Sequence, residues 1–395
     1  VLSQGRAFSP HEDESFFEQL PAAAAVFVLR GDGEPYVSKT ANLRRRLQRL
    51  LGPATEGKRL NLRSRVRAIE FTATGSDFES QFLLYQTLRE MFPKTYAARL
   101  RLRPAPLIKL HLENDYPRAS VTTRLGRIDV RQGCGEAGAA HQNLYYGPFP
   151  SRIAAEKFAS DALDFFKMRR CVEDLQPDPS FPGCVYSEMK MCLAPCFKGC
   201  TDADYHAEVA RVQAFFDSSG DSLAREFTLQ RERSSSELAF EDAASIHAKL
   251  EKLKPLLSQL PEIVKRIDRL RATIIQPSAE PDSVALFRFS HACLSGPLQF
   301  RIEQSGSPQS MESRVQQVLE GFAARDYSTS ERSEHLAMLK RWYYRSQRTG
   351  EIFFAGEDGS WPLRRMVRGI GRVHRGEKVP EASGFFATLV QSPTS

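Results

Sequence analysis

Apolar residues fall along this chain in short runs separated by turn residues. Ala24–Arg30 is nearly all apolar and runs into Gly31-Asp32-Gly33, which predicts a strand and a tight turn, with Pro35–Ser38 as the returning strand. Ala41–Leu51 predicts a helix stopped by Gly52-Pro53, and Arg65–Thr72 a third strand. In Asp77–Phe92, the residues Phe78, Phe82, Tyr85, Leu88 and Phe92 recur at helical spacing. Leu107–Leu112 and Ala119–Arg124 read as strands, residues 132–142 as a mobile loop, and Arg152–Phe166 as a helix. Residues 202–273 read as helical and charged, and the Pro- and Ser-containing stretch Gln276 to Asp282 marks a boundary. Beyond it the pattern predicts strands at Val284–Phe289 and Leu298–Glu303, then helices at Met311–Ala323 and Arg332–Trp342. Residues 1–20 read as a polar lead-in, and the last ten or so as frayed.

With 395 residues, the chain has room for two or three domains. Its 41% hydrophobic and 26% charged content describes a soluble globular protein. A net charge of +7 and a pI near 9.0 point to an anionic partner. No apolar run is long enough to span a bilayer, and Ala22–Leu29 is short and follows an acidic stretch, unlike a signal peptide. The cytoplasm is therefore the default compartment. The chain opens on Val1 rather than Met, so further residues are expected before it.

The cysteines change the picture. Five of the seven, Cys171, Cys184, Cys192, Cys196 and Cys200, lie within thirty residues. A chain of this size needs no disulfide staples. The spacing C-x12-C-x7-C-x3-C of Cys171, Cys184, Cys192 and Cys196 asks for a four-sulfur metal cage, holding either zinc or an iron–sulfur cluster. Zinc sites favour paired short knuckles, and only one short pair is present, so the wide spacing suits a cluster better. Inert buried thiols are the bland alternative. Cys200 is a spare, and Cys134 and Cys293 read as ordinary residues.

Val26-Phe27-Val28, Tyr36-Val37-Ser38-Lys39 and Asn42-Leu43-Arg44-Arg45-Arg46 are followed by Pro106–Lys109, Tyr116-Pro117-Arg118 and Tyr145-Tyr146-Gly147-Pro148-Phe149-Pro150-Ser151. The cysteine run and Leu238-Ala239-Phe240-Glu241-Asp242-Ala243-Ala244 come next. In this order the motifs resemble the GIY-YIG nuclease family, specifically the C subunit of the bacterial UvrABC excision nuclease, over about residues 21–257. The last motif resembles the UVR helical hairpin. The resemblance implies a 4Fe–4S cluster on Cys171, Cys184, Cys192 and Cys196.

It also implies a nuclease site, and there the sequence departs from the family. Tyr36, Lys39 and Arg46 match retained site residues, but the first-strand tyrosine is Phe27 and the glycine after the second tyrosine is Ser38. The glutamate that holds Mg2+ falls on Leu84. Phe has no hydroxyl to move a proton, and losing a general base costs on the order of 10²–10⁴ in rate. Leu offers no oxygen to Mg2+. Glu79 lies five positions before Leu84, about 140° around the helix, and cannot substitute. A buried strand residue is the bland reading of Tyr36.

Arg44, Arg45, Arg46 and Arg49, with Lys58, Arg59, Arg63, Arg65 and Arg67, form a candidate DNA-backbone contact, or else a solvated face. A second basic stretch, 340–378, interleaves Arg341, Arg345, Arg348, Arg364, Arg365, Arg368, Arg372 and Arg375 with Trp342, Tyr343, Tyr344 and Trp361. Those aromatics either stack on unpaired bases or form the core of a small subdomain. The hairpin, 223–257, offers Leu238, Phe240, Ala243 and Ala244 to the excision-repair B subunit by resemblance, though His247-Ala248 stands for the family's Arg-Asp pair. An intramolecular hairpin is the alternative. The family's second, RNase H-like nuclease and its helix-hairpin-helix modules are not legible; Phe289-Ser290-His291 is a faint echo, with Arg288 where Asp is needed.

The expected fold is multidomain α/β and α+β. It comprises a polar lead-in, 1–20; a GIY-YIG-like three-stranded sheet with helices, 21–103; linking strands, a helix and the cysteine-ligated segment, 104–205; a helical region with the UVR-like hairpin, 206–275; and an α+β tail, 282–395. The expected function is a shortened, DNA-binding, excision-repair relative with an impaired incision site. The alternatives are an active metal-dependent endonuclease that nicks near lesions, and an iron–sulfur redox-sensing DNA binder.

Overall fold

The computed structural model describes residues 2–53, 60–127, 142–302, 309–323 and 325–377. Lys58, Arg59, Cys134, Glu303, Lys378, nearly all of the expected 132–142 loop and the expected frayed end lie outside the described residues.

Among the described residues three sheets of four strands each organise the chain. The first runs β1 (Gln4–Ala7), then helix α1 (Glu14–Glu18), β2 (Ala25–Gly31), β3 (Tyr36–Thr40), helix α2 (Leu43–Leu51) and β4 (Val66–Ala73). The strand order is β1-β4-β2-β3, all antiparallel. This corrects two expectations. The lead-in is not a polar tail, because β1 pairs with β4 and Phe8, Phe17 and Leu20 are buried. The sheet consequently has four strands rather than three. Three scattered apolar residues among charges make no period, so only the docking partner makes them core. Helix α2 begins at Asn42, whose side chain accepts from the Arg45 N–H at 3.0 Å, and packs Leu43, Leu47, Leu50 and Leu51 on the sheet.

Helix α3 (Asp77–Met91) is capped by Ser76 and followed by the short α4 (Tyr96–Leu100). α3 packs away from the first core. Phe78, Phe82, Tyr85 and Leu88 belong to a larger core shared with the rest of the chain, and Val37 and Leu84 pack against it.

The second sheet contains β5 (Leu107–Leu110), β6 (Ala119–Thr122) and β7 (Leu144–Gly147), followed by helix α5 (Arg152–Leu163), the cysteine segment with α6 (Val185–Glu188), and α7 (Asp202–Asp217). An antiparallel hairpin, α8 (Asp221–Ser236) and α9 (Phe240–Ser258), leads to β8 (Lys265–Arg266), which closes the order β6-β5-β7-β8. Buried Tyr146 on β7 donates to Asp217 on α7 at 2.7 Å, and Arg266 on β8 reaches the same carboxylate at 3.2 Å.

The third sheet has β9 (Arg271–Pro277), β10 (Ser283–Ser290) and β11 (Cys293–Arg301), then helices α10 (Met311–Glu320) and α11 (Thr329–Tyr343), β12 (Glu351–Phe354) and α12 (Leu363–His374). Its order is β11-β10-β9-β12. The helical reading of 202–273 and the boundary at 276–282 are corrected here. Helix stops at Ser258, and 276–282 spans the turn that joins β9 to β10 in one sheet. Ala272, Ile274, Phe287 and Phe289 enter the large core, whereas Ile275, Leu286 and Phe300 pack on Val315, Met366 and Ile370 from α10 and α12. Among the described residues no helix is long and apolar enough to cross a membrane.

Candidate nucleic-acid interface and cysteine site

Alternation along β3 divides the expected nuclease residues between two faces. Tyr36 turns toward α2, packs on the first core and accepts a hydrogen bond at its hydroxyl from Arg46 Nη2 at 3.0 Å. Val37 and Lys39 turn toward α3. Phe27, opposite Ser38 on β2, is fully buried, with its ring 6.1 Å from that of Tyr36. Tyr36 and Arg46 thus form one pair, and Lys39 joins a different group.

That group centres on Asp77, the first residue of α3. Lys39 Nζ donates to its Oδ1 at 2.6 Å, and Arg345 Nη1, just past the end of α11, donates to its Oδ2 at 2.6 Å. Burial alone would raise the Asp77 pKa, but the bonds from Lys39 and Arg345 hold it below the usual value. Neither Asp77 nor Arg345 was singled out from sequence as part of this site, because their partners lie 38 and 268 residues apart. Glu79 is buried and accepts from the Gly75 N–H at 2.7 Å; burial pushes its pKa up to about 6, against the pull of that bond. Leu84 is half-buried against the large core.

Of the basic residues on the first domain, Arg45 and Arg49 are exposed on α2, while Arg44 donates to the Leu20 carbonyl at 2.9 Å. Arg63 is an internal brace, donating to the carbonyls of Pro10, Leu51 and Glu12. Arg65 and Arg67 both bind Asp32. In the second basic stretch the aromatics are packing residues. Trp342 and Tyr343 are buried, Tyr344 donates to the Pro148 carbonyl at 2.9 Å, and Trp361 packs beside α10 and α12. Base stacking by Trp342 and Tyr343 is therefore closed off by the core itself. Arg372 and Arg364 pair with Glu351 and Glu312, and Arg341, Arg365 and Arg368 are exposed.

The cysteine segment is folded by three non-glycine residues in left-handed backbone, Lys190 (φ 57°), Ala194 (φ 60°) and Lys198 (φ 58°), which bracket Cys192 and Cys196. Such residues are strained and persist only when their surroundings fix them. Arg169, 2% exposed, supplies part of that frame. It donates to the Tyr116 carbonyl at 2.8 Å, the Glu173 carbonyl at 2.8 Å and the Cys171 Sγ at 3.4 Å. The Ala194 N–H points at Cys192 Sγ at 3.3 Å. Burial pushes the Cys192 thiol up to about 11, and Cys171, Cys196 and Cys184 add to the rise, so all four thiols are within electrostatic reach. Cys200 is influenced chiefly by burial and by Asp204 and Asp202. Among the described residues no three or more Cys, His, Asp or Glu close to the spacing of a single bound ion. A tetrahedral zinc at about 2.3 Å from each sulfur needs sulfurs about 3.8 Å apart. A cluster of several irons is a larger body and takes a wider ring, so the all-sulfur donor set fits that group better than lone zinc.

At the hairpin tip Leu238 (φ 58°) turns the chain between α8 and α9. Leu238 is 72% and Phe240 65% exposed, and Leu229 on α8 is exposed too. Ala243 is half-buried and Ala244 exposed, while Leu250 and Leu253 on the same helix are buried inward. The hairpin therefore has an anchored base and an apolar, unpartnered tip.

Residues 106–215, from β5 to α7, match the family model for the middle domain of the UvrC/Cho excinuclease. The chain is 27% identical over 260 residues to the UvrABC system protein C of Rickettsia canadensis, covering 65% of this chain and 39% of that relative. It is 29% identical over 216 residues to the same protein of Lactiplantibacillus plantarum, covering 54% of this chain and 32% of that relative. The chain thus spans about two fifths or less of the length of the curated relatives it matches. No solved structure matches it.

Proposed function

We propose that this relative of the UvrABC system protein C binds DNA in nucleotide excision repair and does not itself incise it. The observation that carries this reading is the fate of the carboxylates near the retained Tyr36, Lys39 and Arg46. Position 84, where the family resemblance puts the metal glutamate, is a leucine packed on the core. Glu79 is buried on the Gly75 N–H, and both oxygens of Asp77 are taken by cations. A divalent ion needs free, hard oxygen donors. Phe27, at the tyrosine position, has no hydroxyl and no solvent exposure.

Arg45 and Arg49 on α2 supply exposed positive charge for the phosphate backbone. Cys171, Cys184, Cys192 and Cys196 would hold a 4Fe–4S cluster, and Arg169 would orient the Cys171 ligand; the group would cross-link the middle segment. Leu238 and Phe240, with Ala243 and Ala244, would dock the excision-repair B subunit, supported by an apolar tip that this chain leaves uncovered.

Incubating a lesion-bearing duplex with the protein and Mg2+ or Mn2+ tests the reading. The expected result is salt-sensitive binding without nicking above background. Nicking that disappears in Arg46→Ala overturns it. Iron and sulfide analysis with visible absorbance of anaerobically purified protein tests the cysteine assignment separately.

A further inference from the structure

We propose that Lys39 and Arg345 form a phosphate clamp spanning the first and third sheets, held closed on Asp77 until a nucleic-acid phosphate displaces that carboxylate. The inference rests on the DNA-binding reading above and adds a residue, Arg345, and a regulatory device to it.

Three observations lead here. First, the two cations come from distant parts of the chain yet meet one carboxylate, each at 2.6 Å and each on its own oxygen. A phosphodiester offers the same arrangement, two non-bridging oxygens sharing one negative charge, so one anion can replace the other on the same donors. Second, the group is open to solvent. The side chains of Lys39, Asp77 and Arg345 are 24%, 50% and 54% exposed, so a ligand reaches them without opening the core. Third, the fold does not need the ion pairs. Exposed pairs contribute little to stability, and α3 is already held to α11 by the apolar core, by Tyr85 and Tyr96 donating to Glu334, and by Arg89 pairing with Glu331. Two cations against one carboxylate leave an excess positive charge even in the closed state, which draws an anion toward the clamp.

The arrangement makes an unusual prediction: removing the acid improves binding. With a short DNA duplex as probe, Asp77→Asn raises affinity about fivefold at low salt, because the competing anion is gone. The slope of log affinity against log salt stays at the wild-type value, because the same phosphate contacts form. Arg345→Ala and Lys39→Ala each lower affinity and reduce that slope by about 0.9. Combining Asp77→Asn with Arg345→Ala abolishes the gain, and Asp242→Asn, an equal charge change on the hairpin, leaves affinity within about twofold of wild type. Asp77→Asn protein that melts like wild type but binds no tighter overturns the clamp while leaving the DNA-binding reading intact. Should Asp77→Asn fold poorly, the Lys39→Ala and Arg345→Ala slopes decide, and unchanged slopes overturn it. If wild type and Asp77→Asn both fail to bind, both readings fall.

Discussion

Glu79 and Leu84 show how single side chains decide what α3 can do. Glu79 is 6% exposed, and its pKa is raised from 4.5 to about 6 chiefly by burial. Below pH 4.5 the group is protonated folded and unfolded alike. Between 4.5 and 6 the folded state keeps its proton while the unfolded state loses it, so stability falls as pH rises, by about 2 kcal/mol in all. Glu79→Gln keeps an acceptor for the Gly75 N–H and removes that loss. Thermal melts should show the variant more stable than wild type at pH 8 and close to it at pH 4.5. Leu84→Glu restores the missing acid in name only. Its charge would enter a packed surface, so the variant should lose about 2 kcal/mol in denaturant titration and still nick no DNA. Sequence legibility was good at these positions for identity and poor for partnership. Phe27, Tyr36, Lys39 and Arg46 could be picked out along the chain, but β3 sends Tyr36 and Lys39 to opposite faces, and each finds a different partner.

At the scale of elements, the strong periods were readable and the weak ones were not. The helix at 77–92 and the strand at 24–30 are found within a residue or two of their expected ends, because clustered apolar residues define them locally. Strand β1 and strand β12 were missed, each being four residues long and made by pairing with a distant neighbour. The α8–α9 hairpin was legible as helices, but its apolar tip gains meaning only from exposure. Phe240→Ala should change stability by no more than about 0.5 kcal/mol, since the ring leaves no cavity. The same variant should weaken binding to the excision-repair B subunit at least about tenfold in a pull-down or titration. Unchanged affinity would remove the tip from the interface.

Across the whole molecule, α3 belongs to the first domain by sequence and to the common core by packing. His335 on α11 sits at that junction, 1% exposed, with its ring edge-on to Phe82 and Tyr85 and its Nδ1 accepting from the Leu294 N–H at 3.1 Å. Burial lowers its pKa from 6.5 to about 4, with Arg89 and Arg332 pulling the same way against Glu331. A depressed pKa means stability that is full above 6.5 and drains as pH falls toward 4, by about 3 kcal/mol. Acid unfolding followed by tryptophan fluorescence should therefore steepen in that window, and His335→Gln should flatten it. The sequence by itself determined the local periods, the crowding of five cysteines, the positive charge and the replacement of Tyr and Glu at positions 27 and 84. Each of these is a property of neighbours along the chain. Only the tertiary structure decided that the lead-in is core, that Trp342 is packed rather than free, and that Asp77 joins Lys39 to Arg345. The reason is physical: burial and ion pairing depend on which distant surfaces meet, and that is set by the sum of many weak contacts rather than by any local pattern.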